Sequence, residues 1–325
     1  MIKTRITELL GIKYPILMGG MHWVSFSKMV AAVAEAGGIG FIPTASFKSV
    51  DELRKEIKKT RALTDGPIGL NISLLPNVDP GEIVMDFIEL GVKEKVSAFE
   101  TAGRPPDRFV PVLKEANIPI IHKVPQVRFA RKAQDIGVDA VIVVGFECAG
   151  YVGGAEITTQ ILVNKASKVL DIPVIAGGGI TNGKSLVSAL ALGAEGVLMG
   201  TRFLASVESG IHNNYKEWLT KASETDTKVI LKSISMPVRS IKNEAAKKLS
   251  EIEADGGTME ELLTFAADKM GKAANEKGDV DMGLISMGEG IGLIDEIKSI
   301  NEIVKDIVSE AEEVMGRLNK TIVAG

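Results

Sequence analysis

The feature that most limits what this chain can become is a rhythm. Between about residue 15 and residue 200, short apolar runs alternate with longer amphipathic stretches. The runs are Pro15-Ile16-Leu17-Met18, Ile39-Gly40-Phe41-Ile42, Ile68-Gly69-Leu70-Asn71-Ile72, Val96-Ser97-Ala98-Phe99, Pro119-Ile120-Ile121-His122, Ala140-Val141-Ile142-Val143-Val144, Pro173-Val174-Ile175-Ala176 and Gly196-Val197-Leu198-Met199. Each is short, rich in β-branched residues and bounded by Gly or Pro, as strands buried on both faces are. The stretches between them, such as residues 28–36, 50–63, 128–136 and 185–192, carry helical periodicity. Most end in Gly or Asn followed by a β-branched residue, as at Gly37-Gly38-Ile39, Asn117-Ile118 and Gly137-Val138. That pattern is a helix C-cap leading into the next strand. Regular β-then-α units over about 190 residues predict an α/β fold, a (β/α)8 TIM barrel. A doubly wound open sheet is the structural competitor, and so regular a repeat fits closure better.

Residues 205–290 break the rhythm. They are charged, helical in pattern over 215–223, 242–254 and 259–272, and poor in strands. The expectation is a helical insertion or lid after the eighth strand, with the barrel made from 1–204 and 291–325. A last helix over about 293–318 would return to the barrel wall. No low-complexity linker separates the parts, so the insertion is expected to pack over the barrel.

Composition narrows the function. The formal charge of −4, from 38 basic and 42 acidic residues, supplies no field for phosphate backbones or anionic lipid, so nucleic acid and membrane are excluded as main partners. The single cysteine, Cys148, rules out an internal disulfide framework or thiolate metal cluster and points to a reducing compartment. The first residues hold no apolar run like that of a signal peptide, and no stretch approaches the ~18 apolar residues of a membrane span, so a soluble cytoplasmic protein is expected. Glycine is enriched, 34 of 325 residues. Besides helix ends, these glycines fall where barrel chemistry sits, after the C-terminal ends of strands.

After the seventh run comes Gly177-Gly178-Gly179-Ile180-Thr181, and after the eighth Gly200-Thr201-Arg202-Phe203. Adjacent glycine turns there form a phosphate pocket, because backbone N–H groups can approach an anion and a helix N-terminus adds positive dipole. The first run ends Gly19-Gly20-Met21-His22, leaving room for a planar ring with Met21 as a soft contact. Asn71 ends the third run and can both donate and accept. Lys123 follows the fifth and reads as a cation for a phosphate or electron-rich ring, a Schiff-base nucleophile, or a surface lysine. Glu147 reads equally as an acid/base or as a loop-fixing acceptor. Cys148 reads as a small buried filler. His22 is a candidate to touch substrate, and His212 to anchor the insertion. His22, His122 and His212 are too scattered for a metal site.

Gly19-Gly20-Met21, Asn71, Gly145-Phe146-Glu147-Cys148-Ala149-Gly150, Gly177-Gly178-Gly179-Ile180 and Gly200-Thr201-Arg202-Phe203 together resemble the FMN-dependent nitronate monooxygenases, the former 2-nitropropane dioxygenases. That superfamily includes FMN-dependent enoyl-[acyl-carrier-protein] reductase II and NADH:quinone reductases. The likeness runs from Thr4-Arg5-Ile6 to Gly278-Asp279-Val280-Asp281. It implies FMN, with phosphate at Gly177, Gly178, Gly179, Gly200 and Thr201. Gly20, Met21 and Asn71 would border the ring, Lys123 would approach its polar side, and Gly19 and Gly150 would also belong to the cofactor site. It implies a small-molecule substrate (nitronate, enoyl thioester or quinone), NADH or NADPH as a reductant, and a homodimer as one assembly state. The family commonly has histidine where this chain has Tyr151, a poor base at pH 7 and a good donor. Val144 stands where relatives can carry an acidic residue. Tyr151, His22 and Glu147 are therefore the candidate catalytic residues of an FMN-dependent oxidoreductase. The alternatives are an enoyl-thioester or quinone reductase and, in a different class, a cofactor-free Schiff-base aldolase or lyase using Lys123. A flavin-binding module without turnover is the third.

Overall fold

A computed structural model of the chain describes residues 2–74, 83–270 and 276–321. The predicted runs become β1 (Ile16–Met18), β2 (Ile39–Pro43), β3 (Ile68–Leu74), β4 (Ala98–Gly103), β5 (Ile120–Val124), β6 (Ala140–Val144), β8 (Val174–Gly177) and β9 (Gly196–Met199). They close into a parallel barrel in that order, with β1 joined to both β2 and β9 through Leu17, which faces Ile39 on one side and Leu198 on the other. Between β6 and β8 lies a two-residue strand, β7 (Gly150–Tyr151), outside the barrel.

Strand alternation sorts the side chains. Leu17, Ile39, Phe41, Ala98, Ile121, Ala140, Ile142, Ile175 and Leu198 fill the barrel interior. Their neighbours, including Ile16, Met18, Leu70, Phe99, Ile120, Val141, Val174 and Val197, pack outward against the helices. Each such burial contributes about 1.5–3 kcal/mol, so a core poor in aromatics is stable through number. The ring of Phe41 is accommodated by Gly69, where a Cβ would lie only 2.3 Å from Phe41 Cδ1. The N-terminal end of the barrel is covered by helix Arg5–Leu10, whose Ile6 and Leu10, with Ile12, join the interior cluster. Thr4 Oγ1 donates to the Glu195 carbonyl at 2.6 Å, and Arg5 pairs with the Glu195 carboxylate, fixing that helix beneath β9.

β4 differs from the sequence expectation. It begins two residues after Val96 and runs on through Glu100, because the pairing with β3 starts at Gly69 and Ala98. The insertion also differs. Its helices are present as Asn213–Leu219, Glu244–Ala254 and Met259–Met270, while the expected end of the last at 272 falls outside the described residues. However, it is not helical throughout. β10 (Thr227–Ile230) and β11 (Val238–Ile241) pair antiparallel, and β11 takes β7 on its other edge. Lys228 and Arg239 break up the apolar residues of these strands, so no apolar run marks them. The insertion packs on the barrel as expected: Met21 and Val24, from the loop after β1, lie against a cluster of Leu204, Ile211, Tyr215, Ile241, Ile285 and Met287. The closing helix is Ile300–Thr321, starting later than expected: a 3-10 turn over Glu289–Leu293 is followed by non-helical residues 294–299, and the helix packs on helices Gly183–Ala191 and Ser27–Glu35. Among the described residues no helix is long and apolar enough to cross a membrane.

Candidate active site

Interior alternation carries past the apolar layers to the C-terminal ends of the strands. There it turns Asn71, Glu100 and Lys123 inward, from β3, β4 and β5. Glu100 is fully buried, and its carboxylate accepts three hydrogen bonds: from Gly20 N–H at 2.9 Å, Asn71 Nδ2 at 3.1 Å and Lys123 Nζ at 2.7 Å. A buried carboxylate requires such compensation for lost hydration. The turn after β1 lies directly on Asn71, since a Cβ on Gly20 would come within 2.3 Å of Asn71 Cβ. Asn71 is held from behind as well: Thr44 Oγ1 donates to its carbonyl at 2.9 Å and Ser73 Oγ to its Oδ1 at 3.3 Å. Lys123 is thus an ion-paired group in a network. Schiff-base chemistry needs a free neutral amine, which this pairing does not offer.

Opposite, the glycine turns after β8 and β9 adjoin. Gly178 and Gly179 have φ of 98° and 71°, a conformation that L side chains rarely adopt. The Thr159 hydroxyl lies 3.0 Å from the Gly177 carbonyl and 2.9 Å from that of Gly178, holding this turn in place. Glu147 accepts the Thr159 backbone N–H at 3.0 Å and lies 3.1 Å from its hydroxyl, contacts that a loop-fixing acceptor makes. Thr201 opens the short helix Thr201–Leu204, and its Oγ1 accepts Gly288 N–H at 2.9 Å. A Cβ on Gly200 would sit 3.6 Å from Met21 Sδ, which brings the turns after β1 and β9 side by side. Among the described residues, the N–H groups of Gly178, Gly179 and Gly200 donate to no carbonyl, and the buried Thr181 Oγ1 has no partner. Free donors on adjacent strand ends are what an anionic group requires.

The loop after β6 forms the third side. Tyr151 pairs with Val238 across the β7–β11 ladder, and its side chain is half exposed. Cys148 is buried, its Sγ 3.6 Å from the Tyr151 carbonyl, and burial pushes its thiol up to about 12. It is a filler, as the sequence suggests. The histidines do not assemble. His22 is exposed, with Nε2 3.1 Å from the Ala45 carbonyl and its ring against Trp23. His122 points outward from β5, with Nδ1 2.8 Å from Thr101 Oγ1; burial, aided by the neighbouring Lys123 charge, pushes it down to about 4. His212 accepts Asn214 N–H at 3.2 Å and caps helix Asn213–Leu219, the anchoring place expected of it. No group of three possible metal ligands occurs among the described residues.

Two residues escaped sequence reasoning. Glu100 lies one position beyond the fourth apolar run; continuing the inward alternation from Ala98 would have found it. Arg239 carried no signal, because its partners are distant in sequence. It is 4% exposed, donates from Nη2 to the Phe146 carbonyl at 2.9 Å and from Nη1 to Thr227 Oγ1 at 3.0 Å, and pairs with Glu289 at 2.8 Å. Its guanidinium stands 4.7 Å from the Phe146 ring centroid. Glu289 N–H in turn donates to the Glu147 carbonyl at 3.0 Å. Arg239 therefore clasps the insertion to the loop that carries Glu147 and Tyr151.

The chain as a whole has counterparts in known proteins. FabK from Thermotoga maritima superposes with a TM-score of 0.92 at 39% identity, covering 99% of this chain and 100% of that one. Nitroalkane oxidase from Streptomyces ansochromogenes superposes with a TM-score of 0.84 at 25% identity, covering 96% and 99%. A probable nitronate monooxygenase of Staphylococcus saprophyticus is 33% identical over 97% of this chain and 99% of its own length. A (3aS,4S,5R,7aS)-5-hydroxy-7a-methyl-1-oxo-octahydro-1H-indene-4-carboxyl-CoA dehydrogenase of Rhodococcus jostii is 31% identical over 95% and 96%. The nitronate monooxygenase family model matches residues 3–310. The chain is an oxidoreductase and belongs to the nitronate monooxygenase family.

Proposed function

We propose that this oxidoreductase carries FMN at the C-terminal mouth of the barrel and uses it to reduce a small electrophilic substrate, with an enoyl thioester as the leading class. The observation that carries the cofactor is that, among the described residues, the N–H groups of Gly178, Gly179 and Gly200 at the ends of β8 and β9 donate to no carbonyl, while the Glu100–Lys123–Asn71 network lies at the ends of β3, β4 and β5 of the same barrel. Gly177, Gly178, Gly179, Gly200 and Thr201 would hold the phosphate. Gly19, Gly20, Met21, Asn71, Lys123 and Gly150 would border the ring. Bound FMN supplies a two-electron carrier that a reductant such as NADH or NADPH can charge. Among the chain's own groups, Asn71 and the Gly20 turn orient the ring, and the Arg239-held loop limits access of water. Glu147 acts by fixing that loop.

The choice among acceptors rests on the protons available. Nitronate oxidation in this family uses a histidine where Tyr151 stands, and no described histidine hydrogen-bonds to the inward network. A tyrosine Oη can polarise a thioester carbonyl or hand a proton to carbon, the two tasks of a conjugate reduction. The carboxyl-CoA dehydrogenase relative is named for a thioester compound and supports this class. His22, turned to Ala45, stays a candidate substrate contact at the rim. The test is anaerobic reduction of purified, FMN-loaded protein with NADH and NADPH, followed by crotonyl thioester, a quinone and propyl nitronate. Reoxidation by the thioester is expected, and Tyr151→Phe should slow it about 100-fold with flavin affinity unchanged. A protein that takes up no FMN, or one that Tyr151→Phe leaves at full rate, would overturn the corresponding part.

A further inference from the structure

We propose that Glu100 is a positioning residue that sets the net charge beside the cofactor ring by neutralising Lys123; this rests on the FMN reading above. Glu100 has no exposed surface and Lys123 is only 23% exposed at its side chain, so neither charge is relieved mainly by water. The 2.7 Å Lys123–Glu100 contact makes the two a pair of zero net charge. The same carboxylate also takes one N–H of Asn71 and that of Gly20. Three strand ends, those of β1, β3 and β5, are therefore referenced to one anion on β4. Asn71 loses its rotational freedom in the process, since Nδ2 is drawn to Glu100 while Oδ1 accepts from Ser73.

The charge consequence is specific. A lone lysine at this mouth would favour extra negative charge on the ring and so the reduced form. Paired with Glu100, that pull is largely cancelled. Removing the carboxylate leaves one positive charge, removing the ammonium leaves one negative charge, and removing both restores neutrality. A residue that only braces the fold has no reason to produce opposite signs.

The experiment measures the two-electron midpoint potential of the FMN-loaded protein and of Glu100→Gln, Lys123→Met and the double variant. Glu100→Gln is expected to favour the reduced form about tenfold, a rise of ~30 mV for a two-electron couple. Lys123→Met is expected to fall below the unsubstituted protein, and the double variant to return close to it. Potentials that move in one direction for both single variants, or a double variant that does not return, overturn the proposal. A second arm needs no cofactor: amine labelling of Lys123 in the apoprotein, read by mass spectrometry at one mildly alkaline pH. Glu100→Gln should label Lys123 several-fold faster, because its amine is no longer tied to a carboxylate oxygen 2.7 Å away; an unchanged rate overturns the tether. If no form takes up FMN, the cofactor reading fails, and the labelling arm still decides whether Glu100 holds Lys123.

Discussion

Replacing Arg239 with methionine removes the guanidinium while keeping an apolar stem of similar length in a site that is 4% exposed. The hydrogen bond to the Phe146 carbonyl, at 2.9 Å with a second approach of 3.3 Å from Nε, comes from a charged donor, a class that contributes about 1.5–3 kcal/mol. The Glu289 carboxylate side chain is 37% exposed and rehydrates when freed, so its ion pair counts at the surface scale, under ~1 kcal/mol. Stacking on Phe146 adds ~0.5–1 kcal/mol. The bond to Thr227 Oγ1 is offset by the better burial of methionine. The net is about 3 kcal/mol, or roughly 150-fold in an equilibrium constant. That loss should fall on opening of the insertion rather than on the barrel, because the clasp joins the two. Native-state hydrogen exchange reads it: amides such as Ile241, bonded to the Ile285 carbonyl, should exchange about a hundredfold faster while those of β6 keep their protection. Equal loss in both regions, or none in the insertion, would refute the clasp as the element that holds them together.

Acid should destabilise the protein through His122. Its folded pKa of about 4 lies below the ordinary value near 6.5, so between those values the unfolded chain binds the extra proton. Stability is therefore complete above about pH 6.5 and declines as pH falls toward 4, by about 2 kcal/mol between pH 7 and pH 5. Urea unfolding at the two pH values should show that difference, and His122→Asn should shrink it. For Cys148, a thiol raised to about 12 leaves almost no thiolate near neutral pH. Iodoacetamide should modify it only after denaturation, and prompt labelling of the native protein would contradict its burial.

The barrel was legible because its strands are buried on both faces, which forces Ile142 and Val143 alike to be apolar and makes each strand a visible run. The glycine turns were legible for a related reason: Gly178 and Gly179 answer to a local backbone requirement. The rest depended on distance. Lys123 could be recognised as a strand-end cation, yet its partner Glu100 sits 23 residues earlier on the neighbouring strand, and only the parallel pairing of β4 with β5 brings them together. β10 and β11 escaped because they are short and carry Lys228 and Arg239 among their apolar residues. The pairing of β11 with β7 joins Val238 to Tyr151, a contact no local pattern encodes. Glu147 shows the opposite limit: its position was found, while its service to Thr159 became plain only in three dimensions.

The helix Arg5–Leu10 works as a cork. With Ile6 and Leu10 pressed into the interior from below, the polar groups Asn71, Glu100 and Lys123 are left to the other end, that of the strand C-termini. Under the FMN proposal above, a reductant and an acceptor would both approach from that end and would bind in turn, with the flavin carrying the electron pair between them. A chain closed at its base in this way ties the order of events to architecture laid down in its first dozen residues.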